Sequence, residues 1–302
     1  MASVRVRAPA TTGNLGSGYD CAGMAFELYN TVEFRETETG LKIELVGEGS
    51  GRIPTNENNL SIIAAQSVFK TVGYNPKGLL VHMNHEIPVS RGLGSSGVAI
   101  VTGAVAANEL AGRPLGTDQL LRICSDLEGH PDNVVPSLLG GFSVSSERSG
   151  KIIYQAFPVS TALKGIVAIP DFPLDTKVAR SVLPKLIPME DAVYNMCNVG
   201  LLVGSLLSEN YNLLDQAMSD RIHQPYREKL IPGLMEVINK AQDAGAHGTA
   251  LSGAGPTVIA LATNNFQQIG EAMTTEFAKN EICAKFKILS FDNSGCQILS
   301  DD

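Results

Sequence analysis

Pro88-Val-Ser-Arg-Gly-Leu-Gly-Ser-Ser-Gly97 runs without a break into Val98-Ala-Ile-Val-Thr-Gly-Ala-Val-Ala-Ala107, and the reading of this junction decides the fold. Gly92 and Gly94 admit backbone conformations closed to bulkier residues. Ser95 or Ser96 can cap the helix predicted by the apolar run, whose first free amides then face an anion. The turn reads as a phosphate cradle; the plain alternative is a glycine-rich strand-to-helix connection with no ligand.

Gly92, Gly94 and Gly97 also spell G-x-G-x-x-G. A dinucleotide fingerprint, however, follows its strand directly and has an acid about 20 residues further on. Here residues 88–91 separate the glycines from the strand-like run 79–87, and the nearest acid, Glu109, lies within the predicted helix. No G-x-x-x-x-G-K-[ST] sequence is present either.

The 302 residues are 44% hydrophobic and 18% charged, enough to bury the core of one large or two ordinary domains. A net charge of -8 without a basic block argues against nucleic acid as a partner and leaves room for a local basic pocket that takes a small anion. Cys21, Cys124, Cys197, Cys283 and Cys296 are odd in number and lack C-x-x-C spacing, which suits a reducing compartment and argues against zinc. The first residues alternate like a strand, and no run approaches membrane-spanning length. The expectation is a cytoplasmic protein that works on a small molecule and not on a membrane.

In chain order, Val4, Val6 and Ala8 alternate with Arg5 and Arg7 as a half-buried strand. The loop Thr11-Thr-Gly-Asn-Leu-Gly-Ser-Gly-Tyr-Asp20 carries Asn14 and Asp20, which either bind a polar ligand or stabilise turns. Strands are predicted at 29–37 and 41–46, a helix over 60–72 capped by Asn58 or Asn59, and a strand over 79–87 on which His82 and His85 face opposite ways as structural residues. Helices at 95–110 and 117–127 follow. Then Glu128-Gly-His-Pro-Asp-Asn133 packs two carboxylates, an imidazole and an amide into six residues. A capped helix end with an Asx turn explains this cluster; so does magnesium, a hard ion that Glu128 and Ser96 would suit, with Asp132 orienting or deprotonating an alcohol.

Strands at 142–146, 152–157 and 165–169 lead to a helical turn over 176–183 that displays Thr176 and Arg180 four apart on one face. Helices are predicted at 189–207, 212–218, 230–244 and 266–277, with strands at 258–261 and 283–289. Arg221 and Arg227 flank His223 in an otherwise acidic chain; such arginines either grip a carboxylate through two parallel hydrogen bonds or lie solvated at the surface. Residues 245–257 form a second glycine loop that either closes over the first or simply connects strands.

Three separated motifs now match one family. Pro88-x-x-x-Gly92-Leu-Gly-Ser-Ser96, Ser252-Gly-Ala-Gly-Pro-Thr257 and Pro9-Ala-Thr-Thr-Gly-Asn-Leu-Gly-x-Gly-Tyr-Asp20 resemble those of the GHMP small-molecule kinases, and Gly129-His-Pro-Asp-Asn-Val looks most like its homoserine-phosphorylating members. The resemblance implies the α+β GHMP kinase fold: a ribosomal-protein-like α/β domain with a left-handed crossover (residues 1–160, nucleotide-binding), then a ferredoxin-like domain (161–302). It also implies ATP-dependent phosphorylation of the homoserine side-chain hydroxyl in threonine biosynthesis.

Carried over residue by residue, the resemblance implies that Pro88, Arg91, Gly92, Leu93, Gly94, Ser95, Ser96 and Gly97 hold ATP, with Asn59 near the adenine or ribose. Ser96 and Glu128 would hold magnesium, with Asp126 as the other acid for that role. Asn14, Asp20, Asp132 and Asn133 would line the homoserine pocket, Arg180 and Arg227 would grip the substrate carboxylate with Thr176 nearby, and Gly253 and Gly255 would shape the far wall. Asp132, Ser96 and Arg180 form the implied catalytic set. Gly97 stands where alanine is usual, loosening the helix start by about 1 kcal/mol or less, and Tyr19 where phenylalanine is common. The rival readings are a relative acting on another alcohol and a catalytically silent scaffold; apolar helices in the second half permit a homodimer.

Overall fold

The computed structural model describes residues 2–300. Its first sheet is built from β1 (Ser3–Thr12), β2 (Ala22–Thr37), β3 (Gly40–Gly47), β4 (Gly78–His85), β5 (Phe142–Arg148) and β6 (Lys151–Phe157). The strand order β1-β2-β4-β3 is extended by β5, which pairs with both β2 and β6. β2 is longer than the alternation at 29–37 predicts, because residues 22–26 are buried throughout and carry no period-2 signal. Four helices cover the sheet: α1 (Leu60–Val72), α2 (Ser95–Leu110), α3 (Thr117–Glu128) and the short α4 (Val134–Leu139), which the sequence does not announce.

α1 starts where Asn59 caps it, its side chain accepting a hydrogen bond from the Ser61 amide, and stops at Gly73 in the left-handed region. α2 is almost wholly buried, which fits its run of small apolar residues. The two helices pack at backbone distance: a Cβ added at Gly103 would stand 2.0 Å from the Ser61 carbonyl oxygen, and the Ser61 hydroxyl donates to the Ala99 carbonyl at 2.8 Å.

The second sheet holds β7 (Lys164–Pro170), β8 (Gly248–Leu251), β9 (Val258–Ala262) and β10 (Ala284–Leu289) in the antiparallel order β10-β7-β9-β8. With α9 (Leu234–Asp243) before β8 and α10 (Phe266–Lys279) before β10, this is the ferredoxin-like split β-α-β arrangement. Strand alternation divides its contacts: Ile166 and Ala168 face α9 and α10, whereas Val167, Ile259 and Leu261 join the apolar cluster of the first sheet. β8 lies inside the stretch read from sequence as loop, since four residues between glycines show no periodicity.

Between β7 and β8 the chain inserts α5 (Thr176–Ser181), α6 (Met189–Leu207), α7 (Leu214–Ala217) and α8 (Gln224–Arg227). The expected boundary at 160/161 falls between β6 and β7, but the second unit does not keep its own tail. β11 (Gln297–Leu299) returns to pair antiparallel with β1, Arg5 opposite Leu299. Among the described residues no helix is long and apolar enough to cross a membrane.

Replacing Gly103 by alanine should force α1 and α2 apart and destabilise the protein by about 1–3 kcal/mol; urea unfolding with an unchanged midpoint would show that the helices have room to spare.

Candidate active site

Loops from both sheets converge on one cavity of about 530 Å³. They meet at backbone distance. Gly13 accepts from the Gly253 amide at 2.9 Å, and the Ser252 hydroxyl donates to the Gly92 carbonyl at 2.7 Å. Gly92 has φ +80°, and a Cβ there would lie 2.2 Å from the Ser252 carbonyl oxygen, so both conformation and space require glycine.

α2 points its N-terminus at the cavity. Its N-cap is Gly94, which makes no side-chain cap bond, so the serine cap expected from sequence does not form and the first amides stay free for an anion. Ser96 instead donates to Glu128 Oε1 at 2.6 Å. Burial raises the Glu128 pKa, opposed by this hydrogen bond and by His130. A partly buried carboxylate joined to a hydroxyl and facing the cavity suits a hard cation that takes its remaining ligands from phosphate and water. Among the described residues no cluster of three or more acids, histidines or cysteines exists that would hold a metal without such help. Asp126, the other acid considered for that role, is bonded to Arg122 and does not border the cavity.

Near this helix terminus, Ile53, Pro54, Leu60 and Val89 form an apolar flank. Asn59 borders it, but its amide is already engaged, accepting from Ser61 N and donating to the Pro54 carbonyl, each at 2.9 Å. His85, read from sequence as structural, also lines the cavity. It is buried, and neither ring nitrogen has a partner among the described residues. Burial pushes its pKa down to about 4, so the ring is neutral and offers one donor and one acceptor. His82 pairs with Glu44 at 3.0 Å, half-exposed on the opposite face of β4.

Two arginines border the cavity in the insertion. Asp175 caps α5, its carboxylate accepting from Lys177 N at 2.6 Å, which sets Thr176 and Arg180 at the cavity wall. Arg180 donates two hydrogen bonds to Asp20, at 2.9 and 2.6 Å, and another to the Tyr19 hydroxyl. Asp20 is therefore locked against Arg180 and does not itself border the cavity. Arg227, at the end of α8, is fully buried and donates to the Gly253 carbonyl at 2.9 Å, while its guanidinium lies 5.5 Å from the centre of the Tyr19 ring. Among the described residues it has no ion pair. Burial lowers its pKa, with Tyr19 acting in the opposite direction.

Asp132 is placed differently from expectation. It is fully buried and absent from the cavity wall. One oxygen accepts from the Asn14 amide at 2.9 Å and the other meets His130 Nδ1 at 2.5 Å. The cavity is lined instead by Asn14, His130 and Asn133. A Cβ at Gly13 would strike the Asp132 carboxylate at 2.2 Å, which shows how tightly this knot is packed. His130 was visible in the quoted Glu128–Asn133 cluster but had been given no role. Burial works to lower its pKa, yet Asp132 and Glu128 together hold it above the ordinary histidine value.

Profiles described as GHMP kinases N terminal domain and GHMP kinases C terminal match residues 59–141 and 202–279. Homoserine kinase of Petrotoga mobilis is 39% identical over 299 residues, covering 99% of this chain and 97% of that one. Homoserine kinase of Desulfitobacterium hafniense is 42% identical, covering 98% and 100%. The chain belongs to the GHMP kinase family. Homoserine kinase from Cytophaga hutchinsonii superposes on this GHMP kinase with a TM-score of 0.90 at 32% identity, covering 99% of this chain and 98% of that one. Mevalonate kinase of L. major, solved with R-mevalonate, shares the fold at a TM-score of 0.74 and 14% identity over 96% of both chains.

Of the loop residues expected to hold the nucleotide in this GHMP kinase, Arg91, Gly92, Gly94, Ser95 and Ser96 border the cavity, whereas Pro88, Leu93 and Gly97 do not. Leu93 is a core residue, and Gly97 turns its α-carbon towards Asn133 inside the first helical turn. Gly253, Gly255, Thr176, Arg180 and Arg227 all border the cavity.

Because the folded-state pKa of His130 is raised, the stability that its protonated ring contributes is complete below its unfolded value of about 6.5 and is lost as pH rises through the folded value. Urea unfolding across this window should show wild type losing stability with pH relative to His130→Gln. Parallel pH profiles for the two proteins would mean that the pair contributes nothing.

Proposed function

We propose that the protein transfers the γ-phosphoryl group of ATP to the side-chain hydroxyl of L-homoserine, forming O-phospho-L-homoserine and ADP as a cytoplasmic step of threonine biosynthesis. The observation that carries this reading is Arg227: a buried guanidinium without an ion pair among the described residues, on the wall of the cavity that also receives the uncapped N-terminus of α2. Leaving such a cation unpaired is costly, and a substrate carboxylate bound there would supply its counter-charge. Relatives named homoserine kinase at about 40% identity over nearly the whole chain support the same acceptor.

Phosphoryl transfer needs in-line positioning and neutralised charge more than covalent help from protein. The free amides of α2 and the Gly92–Gly94 turn cradle the phosphates. Ser96 and Glu128 would hold Mg²⁺, which when bound neutralises charge on the transferring phosphates. Arg227 grips the substrate carboxylate, while Arg180, bonded to Asp20 and Tyr19, stands at the same wall. Asn14 and Asn133 offer amides to the substrate's polar groups.

As the hydroxyl oxygen bonds to the γ-phosphorus, the bridging bond to the β-phosphate breaks and the hydroxyl proton passes to a γ-phosphate oxygen. Asp132 has both oxygens bonded within the protein and is a positioning residue rather than the base. His130, with its raised pKa, acts as a donor towards the incoming groups. His85 borders the nucleotide side of the cavity with both ring nitrogens buried and, among the described residues, unpartnered.

An ADP-release assay with L-homoserine, run beside a panel of other small alcohols, tests the reaction: turnover should be confined to homoserine, and preference for another alcohol would displace this reading. Arg227→Ala should raise the homoserine KM roughly 30-fold or more, the equivalent of about 2 kcal/mol, with the ATP KM little changed; an unaltered homoserine KM would remove Arg227 from the carboxylate site. Asp132→Asn should lower kcat about 10- to 100-fold as a positioning loss, whereas a fall towards ~10⁴-fold would restore it as a base. His85→Leu should raise the KM for ATP and leave that for homoserine unchanged, a split that a purely structural histidine would not produce.

A further inference from the structure

Arg227 reaches the cavity wall from a helix of four residues, and a long guanidinium side chain on so short an element needs something to fix its direction. Three bonds do so. Nε donates to the Ala179 carbonyl at 3.3 Å, and Nη1 donates to the Gly253 carbonyl at 2.9 Å and to His223 Nδ1 at 3.3 Å. Nη2 makes none of these bonds, so it is the nitrogen left for a ligand.

His223 is the only side chain among the three partners. It is fully buried, four residues before Arg227, and its ring stacks on that of Tyr19 with centroids 5.3 Å apart. Its Nε2 lies 2.8 Å from the Gly16 carbonyl oxygen. The two partners fix the tautomer between them. A carbonyl only accepts, so Nε2 carries the hydrogen; a guanidinium only donates, so Nδ1 is bare. A second proton on the ring would remove the acceptor that Arg227 uses and set cation against cation.

The charged groups around the ring keep it in that state. Burial lowers the His223 pKa and Arg227 adds to the effect, while Asp220, 3.6 Å from Nε2, the Gly16 carbonyl and Asp20 act in the opposite direction. Asp220 is already occupied: its oxygens accept from the backbone amides of Ile222, His223 and Gln224 and from the Asn195 side chain. It organises the chain entering α8 and leaves the imidazole neutral.

The carbonyl at the far end of this chain of bonds belongs to the loop that also carries Asn14. Gly16 has φ +54°, and a Cβ there would lie 2.5 Å from the Met218 Cα, so the loop is seated directly on the segment that leads to α8. Asn14 borders the cavity from that loop and Arg227 borders it from α8, whereas His223, which joins the two, does not border it. We propose that His223 is a positioning residue of the acceptor site: as the neutral Nε2–H tautomer it braces Arg227 against the Gly16 turn and holds Nη2 for the substrate carboxylate.

The proposal rests on the homoserine reading for the identity of that carboxylate and on geometry alone for the brace. A histidine that only filled space would need the shape of its ring. Here both ring nitrogens are matched to partners of opposite hydrogen-bonding character, and the acceptor side is spent on the one buried cation of the wall that lacks an ion pair among the described residues.

Two polar substitutions separate the two bonds. His223→Asn keeps an acceptor at the place of Nδ1 and gives up the bond to Gly16, whereas His223→Gln keeps a donor for Gly16 and gives up the acceptor. The homoserine KM should rise about tenfold in His223→Gln and about threefold or less in His223→Asn, with the ATP KM little changed in either. Added to Arg227→Ala, His223→Gln should lower kcat/KM for homoserine by less than about threefold more, because the two residues act as a unit. Nitrogen-15 spectra should show one histidine ring, missing from His223→Gln, that is the neutral Nε2–H tautomer at a pH of about 6.5, where an ordinary imidazole is half protonated. A homoserine KM unchanged in His223→Gln, effects of His223→Gln and Arg227→Ala that simply multiply, or a ring found protonated or as the Nδ1–H tautomer would each overturn the brace. A wild type that turns over no homoserine would overturn the acceptor reading instead, and the spectra would still decide the brace.

Discussion

The site depends on loops from two sheets touching at the level of their backbones. Gly13 bonds to Gly253, Ser252 bonds to Gly92, and no side chain fits between Gly92 and the Ser252 carbonyl. This contact holds the uncapped N-terminus of α2 from the first sheet against the arginine-bearing insertion of the second. A shift at one loop would separate the two groups that the proposed reaction must bring together, the phosphate and the acceptor hydroxyl. The glycines are therefore structural in the strict sense: they set the distance over which the chemistry occurs.

Electrostatics within the cavity are divided between satisfied and unsatisfied groups. Arg180 is neutralised by Asp20, a partly exposed pair that shapes the wall without leaving a free charge. Arg227 is buried among carbonyls and aromatic rings with no such neutraliser among the described residues. Glu128 is its counterpart beside the N-terminus of α2, an acid whose burial disfavours its charged form. In the proposed complex, a substrate carboxylate at one end and a cation at the other would relieve both at once, so that binding and charge compensation would be one event.

Much of this was legible in the sequence where periodicity and punctuation agree. The 60–72 and 95–110 helices follow from apolar spacing, an asparagine cap and glycine stops, and Thr176 and Arg180 lie on one helical face as their spacing requires. Legibility failed where elements are short or buried on both sides: the first part of β2, the four residues of β8, and α4 and α8. At the site, residue type indicated the chemistry but not who faces the ligand. Asp132 was expected at the hydroxyl, yet its neighbour His130 faces the cavity while the carboxylate turns inward to the Asn14 amide. Proximity in sequence cannot distinguish these roles, because adjacent turn residues point in different directions. His85 was read as structural for a related reason, since only the three-dimensional wall reveals that its ring nitrogens lack partners.

The return of β11 to the edge of β1 has a consequence for synthesis. Arg7 bonds to Gln297 across a separation of 290 residues, so β1 leaves the ribosome long before the strand that closes its outer edge. Throughout translation β1 presents an open edge, the kind of template that invites pairing with another nascent chain. Arg5 and Arg7 stand on that strand, and charged side chains are a common guard against edge-to-edge association. The two arginines on β1 thus put charge on its edge until its closing partner arrives.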